Sequence, residues 1–133
     1  YAKQVKILRK ILGKRVTICD SIIDGPSLLA FSSIFVGAGG TMTIEAALLG
    51  VPTFSCYPDK PFLIEKYLIN KGLIVRENDA ERAAKRIVRS LKNLSFVKAR
   101  QERKARELTK DFEDPIEAIS SAIKDVVHEE KSR

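Results

Sequence analysis

Apolar residues along this chain follow two alternating patterns. Short runs rich in apolar and β-branched residues predict strands at residues 15–19, 33–36, 51–57 and 73–75. Between these runs, apolar residues recur every three or four positions, which predicts helices over residues 2–12, 27–30, 41–49, 61–71, 79–91, 95–112 and 115–127. Because strands and helices alternate with short loops, we expect a parallel sheet with right-handed crossovers.

The same patterns predict which side chains are buried. The apolar run at 33–36 is typical of a strand covered on both faces. Three helices carry apolar faces. These are Val5, Leu8, Ile11 and Leu12 in the first; Ala83, Ala84, Ile87, Val88 and Leu91 in the fifth; and Ile116, Ile119, Ile123, Val126 and Val127 in the last.

The predicted fold class is α/β, a Rossmann-like three-layer sandwich with a parallel sheet of about four or more strands and C-terminal helices. A length of 133 residues suits one domain. We place that domain at 1–113, a C-terminal helix at 114–128 and a polar tail that frays at 129–133. The chain opens on a helix and without Met, so we expect upstream strands in a longer chain.

Composition narrows the class of protein. Hydrophobic residues make up 44% and charged residues 31%, as in ordinary globular proteins. No apolar run approaches the roughly 20 residues of a membrane helix, and no signal-peptide pattern opens the chain. Cys19 and Cys56 lack metal-ligand or disulfide spacing, which favours a reducing compartment. We therefore expect a cytoplasmic protein, with peripheral contact at the inner membrane face as an alternative.

The net charge of +7 is concentrated in one region. Residues 76–110 hold 12 Lys or Arg and 5 Asp or Glu, whereas the rest of the chain is neutral. A solvated helical face is the first interpretation of such a stretch, and contact with an anionic bilayer is the second. Nucleic acid is a less favoured partner, because acidic residues are interspersed there and aromatic residues are scarce.

A glycine-rich turn is the clearest candidate for chemistry. A predicted buried strand runs into Gly37-Ala38-Gly39-Gly40-Thr41, and a helix follows. Glycines permit positive φ and close approach of the backbone to a ligand, and the helix N-terminus offers N–H groups to phosphate oxygens. Thr41 adds a hydroxyl that could cap the helix or bind phosphate. The turn matches neither Gly-x-Gly-x-x-Gly nor a P-loop, and a purely structural tight turn remains the alternative.

Several other polar residues are candidates for ligand contacts, and each also has a purely structural interpretation. Glu45 lies one helical turn after Thr41 on the same face, where its carboxylate could bind the two hydroxyls of a ribose; complementing the helix dipole is the alternative. Asp59 and Lys60 follow the strand at 51–57, at the expected ligand edge, and a plain polar loop is the alternative. Asp20 and Asp24 end the strand at 15–19, with Asp24 interpreted as a turn or cap residue. His128 is interpreted as a solvated tail residue, and we predict neither a metal nor a cofactor.

The stretch GAGGTMTIEAALLGVPTFSCYP resembles the C-terminal domain of GT-B glycosyltransferases and of UDP-N-acetylglucosamine 2-epimerases. It is still more similar to a related archaeal family, catalogued as domain of unknown function three-five-four. The hallmark of that family is Gly-Gly-Thr-Met followed by Glu-Ala-Ala, Leu-Gly and Pro, here residues 39–42, 45–47, 49–50 and 52. The similarity extends over roughly residues 1–90. One departure is Ile44, where that family commonly has Arg.

The resemblance implies a function and a set of site residues. Gly39, Gly40 and Thr41 would bind the phosphates of a nucleotide sugar, most simply a UDP-sugar, and Glu45 would bind its ribose. A GT-B enzyme also has an N-terminal half, which this chain lacks, so the chain would be part of a transferase or epimerase and catalytically incomplete alone. The catalytic histidine of the epimerase has no match here. The final helix occupies the place where such enzymes cross back to the N-terminal half, and its exposed face is a candidate surface for a homodimer.

Three hypotheses for function therefore stand. The first is binding of a nucleotide-sugar donor, with the diphosphate at the glycine turn and Lys60 as a further contact. The second is a non-catalytic interaction module that keeps the fold. The third is a basic domain that binds nucleic acid.

Overall fold

A computed structural model describes residues 2–19 and 21–131 of the chain. The described part is a mixed α/β structure with seven α-helices and a parallel sheet of three strands. The helices are α1 (Ala2–Leu12), α2 (Gly25–Ala30), α3 (Thr41–Leu48), α4 (Leu63–Asn70), α5 (Ala80–Lys92), α6 (Leu94–Thr109) and α7 (Pro115–Lys131). The strands are β1 (Phe35–Gly37), β2 (Thr53–Ser55) and β3 (Ile74–Arg76), in the order β1-β2-β3. The predicted parallel α/β arrangement is thus confirmed, and a Rossmann-like fold is consistent with it.

The strand predicted at residues 15–19 is wrong. Gly13–Arg15 form a short 3-10 turn, and the residues that follow, up to Cys19, are irregular. Val16 has extended backbone angles, yet no strand of the described part pairs with this segment. An apolar, β-branched run becomes a strand only where a neighbouring strand takes up its hydrogen bonds. The described sheet therefore has three strands instead of about four; Asp20 lies outside the described residues.

Burial on both faces was predicted for the first strand of the sheet, and this is wrong too. Val36 is 49% exposed, because β1 is an edge strand with β2 as its only described neighbour. The strand that fits the prediction is β2 in the centre, where Thr53, Phe54 and Ser55 are all buried.

Local signals start several helices as predicted. The Asp24 carboxylate accepts a hydrogen bond from the Ser27 N–H at 3.0 Å and so caps α2. The Ser27 side chain first, and this N–H second, lower the pKa of Asp24 below its ordinary value. Asp79 caps α5 in the same way through the Arg82 N–H at 2.8 Å. These bonds join residues three positions apart, so a sequence pattern is enough to predict them.

Helix α3 lies between two small apolar cores. On one side Ala47 packs with Leu68, Leu73, Ile74 and Ala105, which come from α4, the β3 segment and α6. On the other side Ala46 packs with Leu29 and Val51, with Phe35 against them. Two fully buried alanines allow α3 to approach its neighbours closely on both sides. The glycine turn that precedes α3 is therefore anchored to the best-packed part of the molecule.

The highly charged helix α6 is held by a narrow stripe, as predicted. Ala105 is buried in the first core, and Leu108 packs against it. Gln101 is also buried and donates a hydrogen bond from Nε2 to the Leu73 carbonyl. Lys104 Nζ donates to the Gly72 carbonyl at 3.2 Å. Two polar side chains thus attach α6 to the start of β3.

Several predicted apolar faces are exposed. In α1, among the four residues of the predicted apolar face, Val5 is half-buried, while Leu8, Ile11 and Leu12 are exposed. In α5 Ala83 is buried and Ile87 half-buried, but Ala84, Val88 and Leu91 are exposed. In α7 the whole predicted face is exposed, and the helix continues to Lys131 where a frayed tail was predicted; residues 132–133 lie outside the described part. Among the described residues, no helix combines the length and apolarity needed to cross a bilayer.

Candidate ligand-binding site

The glycine turn joins β1 to α3 through two residues in the left-handed region. Gly39 has φ +81° and Gly40 has φ +84°, angles that residues with a Cβ adopt only under strain. Gly40 is the N-cap of α3, and its carbonyl accepts hydrogen bonds from the N–H groups of Thr43 and Ile44 at 3.1 and 3.3 Å. Thr41 is consequently the first helical residue, and the hypothesis that its side chain caps the helix is wrong.

The first turn of α3 faces solvent with free donors. Thr41 and Met42 are exposed, and within the described part of the chain no acceptor bonds their N–H groups. Among the described residues, no side chain caps this helix end with a hydrogen bond, and the N-cap residue is a glycine. This is the arrangement in which the N–H groups and the positive end of the helix dipole bind an anion.

All three strand ends meet at the edge where this turn lies. Gly37, Ser55 and Arg76 are paired in register, each at the C-terminal end of its strand. The Cys56 N–H donates to the Gly37 carbonyl at 2.8 Å, which continues the pairing one residue further. Ligands of open parallel sheets bind at this carboxyl edge.

The structure brings most of the predicted site residues together. Gly39, Gly40 and Thr41 form the turn itself, and Glu45 follows one helical turn later on the same face, half-buried. Among the described residues, the Glu45 carboxylate accepts no hydrogen bond and Lys60 forms neither a hydrogen bond nor an ion pair. Lys60 is exposed in the loop after β2, and the same loop places Tyr57 against Gly39.

A buried polar pair lies behind the turn and was missed by the sequence analysis. The Ser55 hydroxyl, at the end of β2, donates a hydrogen bond to Oε1 of Glu65 in α4, and both side chains are 0% exposed. Oε2 of Glu65 has no partner among the described residues and lies 3.3 Å from the position that a Cβ on Gly39 would occupy. Buried carboxyl oxygens are rarely left without a partner, which marks this one as a functional candidate.

A second buried oxygen lies on the other side of the turn. Thr43 in α3 is 0% exposed, and its Oγ1 also lacks a partner in the described part. It lies 2.7 Å from the position of a Cβ on Gly37. Two unpaired buried oxygens therefore flank the residues that shape the glycine turn.

Arg76, at the end of β3, fixes the loop that follows β2. Its Nη2 donates to the carbonyls of Tyr57, Pro58 and Asp59 at 3.1, 3.4 and 2.7 Å. Asn78 Nδ2 adds a bond to the Pro58 carbonyl at 3.2 Å. The loop 57–59 is thus held to the sheet edge by backbone contacts that leave its side chains free to act.

An aromatic pair stands on this fixed loop. The rings of Tyr57 and Phe62 stack with centroids 5.8 Å apart and planes at 24°. Tyr57 is half-buried against Gly39, whereas Phe62 is 58% exposed.

Weak signals for these missed residues exist in the sequence. Glu65 lies three positions before Leu68, which places the two on one face of the predicted helix at 61–71, and both are fully buried. Ser55 is a polar residue inside an otherwise apolar strand. No local pattern, however, indicates that Ser55, Glu65 and Gly39 meet, because the contact joins three separate segments.

No group of three or more His, Cys, Asp or Glu that could hold a metal occurs in the described part of the chain.

A small cluster of ion pairs follows β3. Glu77 accepts hydrogen bonds from Arg82 Nε and Nη2 at 3.2 and 3.1 Å and lies 3.7 Å from Arg86. The Arg82 guanidinium is the main reason that the pKa of Glu77 is lowered.

Comparisons with known proteins identify a family for this chain but no matching solved structure. An uncharacterised protein of Methanocaldococcus jannaschii, MJ0665, is 51% identical to this chain over 57 residues, which make up 43% of this chain and 17% of that relative. The chain therefore matches only a small part of that relative's length. No solved structure matches the chain. Residues 1–128 match the family described as "Protein of unknown function (DUF354)", and the chain belongs to that family.

Proposed function

We propose that this chain binds the nucleoside diphosphate part of a nucleotide sugar, as the donor-binding region of a GT-B-like glycosyltransferase or sugar epimerase. The diphosphate lies at the glycine turn and the ribose on Glu45. A UDP-sugar is the first candidate, from the resemblance of the segment 37–58. In this proposal the three-stranded sheet belongs to the C-terminal half of a GT-B fold, and groups outside this chain complete the active site.

One observation carries the proposal. The N-terminus of α3 is uncovered at the carboxyl edge of a parallel sheet, behind two glycines at φ +81° and +84°. The exposed N–H groups of Thr41 and Met42 and the hydroxyl of Thr41 supply donors of the kind that phosphate oxygens accept. The unpartnered oxygen of the fully buried Glu65, beside Gly39, is an acceptor, so it suits a hydroxyl or N–H donor and not a phosphate oxygen.

The placement of Glu45 suits a ribose. Four residues of helix separate it from Thr41, a rise of about 6 Å along the axis. That is within the reach of a diphosphate and the sugar attached to it. A carboxylate accepts two hydrogen bonds from adjacent hydroxyls, and Glu45 has no competing hydrogen-bond donor among the described residues.

In this proposal, the positive charge near the phosphates comes from a residue outside α3. Ile44 removes the arginine that related sequences carry before this glutamate, so α3 itself supplies no cation to the diphosphate. Lys60 is exposed on the loop that also carries Tyr57, and it can supply one positive charge. We therefore expect moderate affinity that depends on the helix N-terminus more than on ion pairs.

A second candidate function rests on α5 and α6. Glu77, Glu81, Glu102 and Glu107 form ion pairs with neighbouring basic residues, but the region keeps a surplus of Lys and Arg. Phe96 is 69% exposed among them. This surface is suited to an anionic polymer, and RNA therefore belongs among the ligands to be compared.

The test is a titration of this chain with UDP, UDP-N-acetylglucosamine and a short RNA, followed by backbone amide NMR. We expect both UDP compounds to shift the amides of residues 37–45, and Glu45→Gln to weaken their binding by about tenfold, because a charged hydrogen bond is lost. Glu107→Gln, an exposed glutamate on α6, is the matched control and should leave the affinity unchanged.

Two results would count against the proposal. One is the absence of shifts in residues 37–45 at millimolar UDP. The other is salt-sensitive RNA binding through 79–110 without any nucleotide response, which would favour the second candidate.

A further inference from the structure

The aromatic pair beside the glycine turn has no role in the binding scheme above. Tyr57 and Phe62 stack with centroids 5.8 Å apart and planes 24° apart, so the Phe62 ring packs against the Tyr57 ring. Phe62 is 58% exposed, although an aromatic side chain of this size gains considerably from burial. Within the described part of the chain, the stack on Tyr57 covers only part of the Phe62 ring, which leaves an aromatic surface open near the ligand edge of the sheet.

The pair lies directly against the turn. The Cγ and Cβ atoms of Tyr57 are 3.4 and 3.5 Å from the position that a Cβ on Gly39 would occupy. A ligand held by the N–H groups after Gly39 therefore has the Tyr57 side chain as a neighbour. Phe62 extends the same surface from the start of α4, where it is the N-cap residue and contributes no side-chain cap.

The position of the pair is also fixed in advance of binding. Arg76 Nη2 bonds the carbonyl of Tyr57 itself at 3.1 Å, and it bonds Asp59 at 2.7 Å. At the other end, the Phe62 carbonyl accepts the first hydrogen bond of α4 from the Lys66 N–H at 2.8 Å. A loop tied at both ends loses little conformational entropy when a ligand settles on it.

We infer that the Tyr57–Phe62 pair is the platform for the sugar ring of the nucleotide sugar, an inference that rests on the proposed function. The argument is positional. Glu45 lies about 6 Å along α3 from Thr41, so the nucleoside end of the ligand extends in that direction. Tyr57 lies at the opposite end, beside Gly39, which precedes the helix, and Phe62 stacks on Tyr57. The group bonded to the distal phosphate, the pyranose, is the one that reaches it.

The chemistry of the surface agrees with a pyranose. One face of such a ring carries axial C–H groups and is apolar, and it packs on an aromatic face as other apolar surfaces do. Lys60 lies on the same loop, where its ammonium can bond a sugar hydroxyl or the distal phosphate. Recognition of the sugar would therefore combine one apolar contact on the aromatic ring with a small number of polar contacts such as that of Lys60.

The experiment compares UDP with UDP-N-acetylglucosamine and UDP-glucose on this chain by calorimetry. We expect the better UDP-sugar to bind about five- to tenfold more tightly than UDP, the gain from one aromatic contact. In Phe62→Leu this gain should fall to about twofold or less while the affinity for UDP is unchanged, and Phe62→Tyr should restore it. Phe96→Leu, an exposed phenylalanine on α6, is the matched control.

A second measurement does not depend on a variant that folds. In the wild-type chain, the bound UDP-sugar should give nuclear Overhauser effects between its pyranose protons and the ring protons of Phe62. Such effects from the uracil protons instead would assign the platform to the base and overturn the inference. So would equal affinities for UDP and both sugars, or a Phe62→Leu loss that is the same for all three ligands.

The outcomes also separate the two proposals. If UDP binds and Glu45→Gln weakens it, the proposed function stands whatever the aromatic pair does. If neither UDP nor any UDP-sugar binds at millimolar concentration, both proposals fall together.

Discussion

The hydroxyl of Ser55 and the carboxyl group of Glu65 form a hydrogen-bonded pair that is fully enclosed by the protein. The pair joins the end of β2 to the first turn of α4, and the second carboxyl oxygen lies against Gly39. A polar pair in this place links the packing of the core to the shape of the glycine turn. Substitutions of Glu65 should therefore affect both stability and binding.

We expect Glu65→Ala to lower the free energy of unfolding by about 2–4 kcal/mol, because it leaves a cavity and an unpaired buried Ser55 hydroxyl. Glu65→Gln keeps the shape and an acceptor for Ser55, so its loss should stay within about 1 kcal/mol. Urea unfolding of the two variants measures the difference. A loss in Glu65→Gln as large as that in Glu65→Ala would contradict the expectation that the shape of the side chain and an acceptor for Ser55 are enough for stability.

Alanine substitutions at three glycines distinguish the cost of backbone strain from the cost of missing space for a Cβ. At Gly40 a Cβ would meet nothing within 4 Å, so Gly40→Ala should cost only the strain of φ +84° with ψ −173°, about 1–3 kcal/mol. At Gly39, φ +81° is joined by contacts with Glu65 and Tyr57, so Gly39→Ala should cost more and abolish nucleotide binding. Gly13→Ala is the control, with open space and a smaller positive φ of +58°. Thermal unfolding should rank them Gly13, Gly40, Gly39 in order of increasing loss.

Arg76 offers a test of the fixed loop. Arg76→Met removes the Nη2 atom that bonds the carbonyls of Tyr57, Pro58 and Asp59, and it keeps an unbranched side chain. We expect faster amide hydrogen exchange in residues 57–62 and a smaller preference for UDP-sugars over UDP. Arg89→Met, on the exposed face of α5, is the matched control. Unchanged exchange would mean that the loop is held without Arg76.

The pH dependence of stability should report on Glu77. Its pKa is held below the usual 4.5, chiefly by the Arg82 hydrogen bonds, so its contribution to stability is complete above pH 4.5. The contribution is lost as the pH falls through the lowered pKa of the folded state. The difference in unfolding free energy between wild type and Glu77→Gln should thus be constant from pH 7 down to about pH 5 and shrink below it. Glu81→Gln, whose glutamate pairs with Lys85 on the exposed face, should show a smaller difference.

The helices and the turn could largely be predicted from the sequence. Asp24 and Asp79 cap helices through bonds that span three residues, and the glycine pair at 39–40 adopts the positive φ angles that its composition suggested. Such features depend on interactions between near neighbours in the chain, so local pattern and composition determine them. The family was also recognisable from the motif at residues 39–52.

Only the tertiary structure decided which segments meet. The run at 15–19 has strand-like residues but no partner strand, and β1 is half-exposed because it lies at the edge of the described sheet. The meeting of Ser55, Glu65 and Gly39 joins β2, α4 and the turn, and the Tyr57–Phe62 surface depends on Arg76 of a third strand. Pairing and burial are set by contacts between distant segments, which periodicity does not encode. The sequence by itself thus determined the turn and its helix, and the packing of separate segments determined what surrounds them.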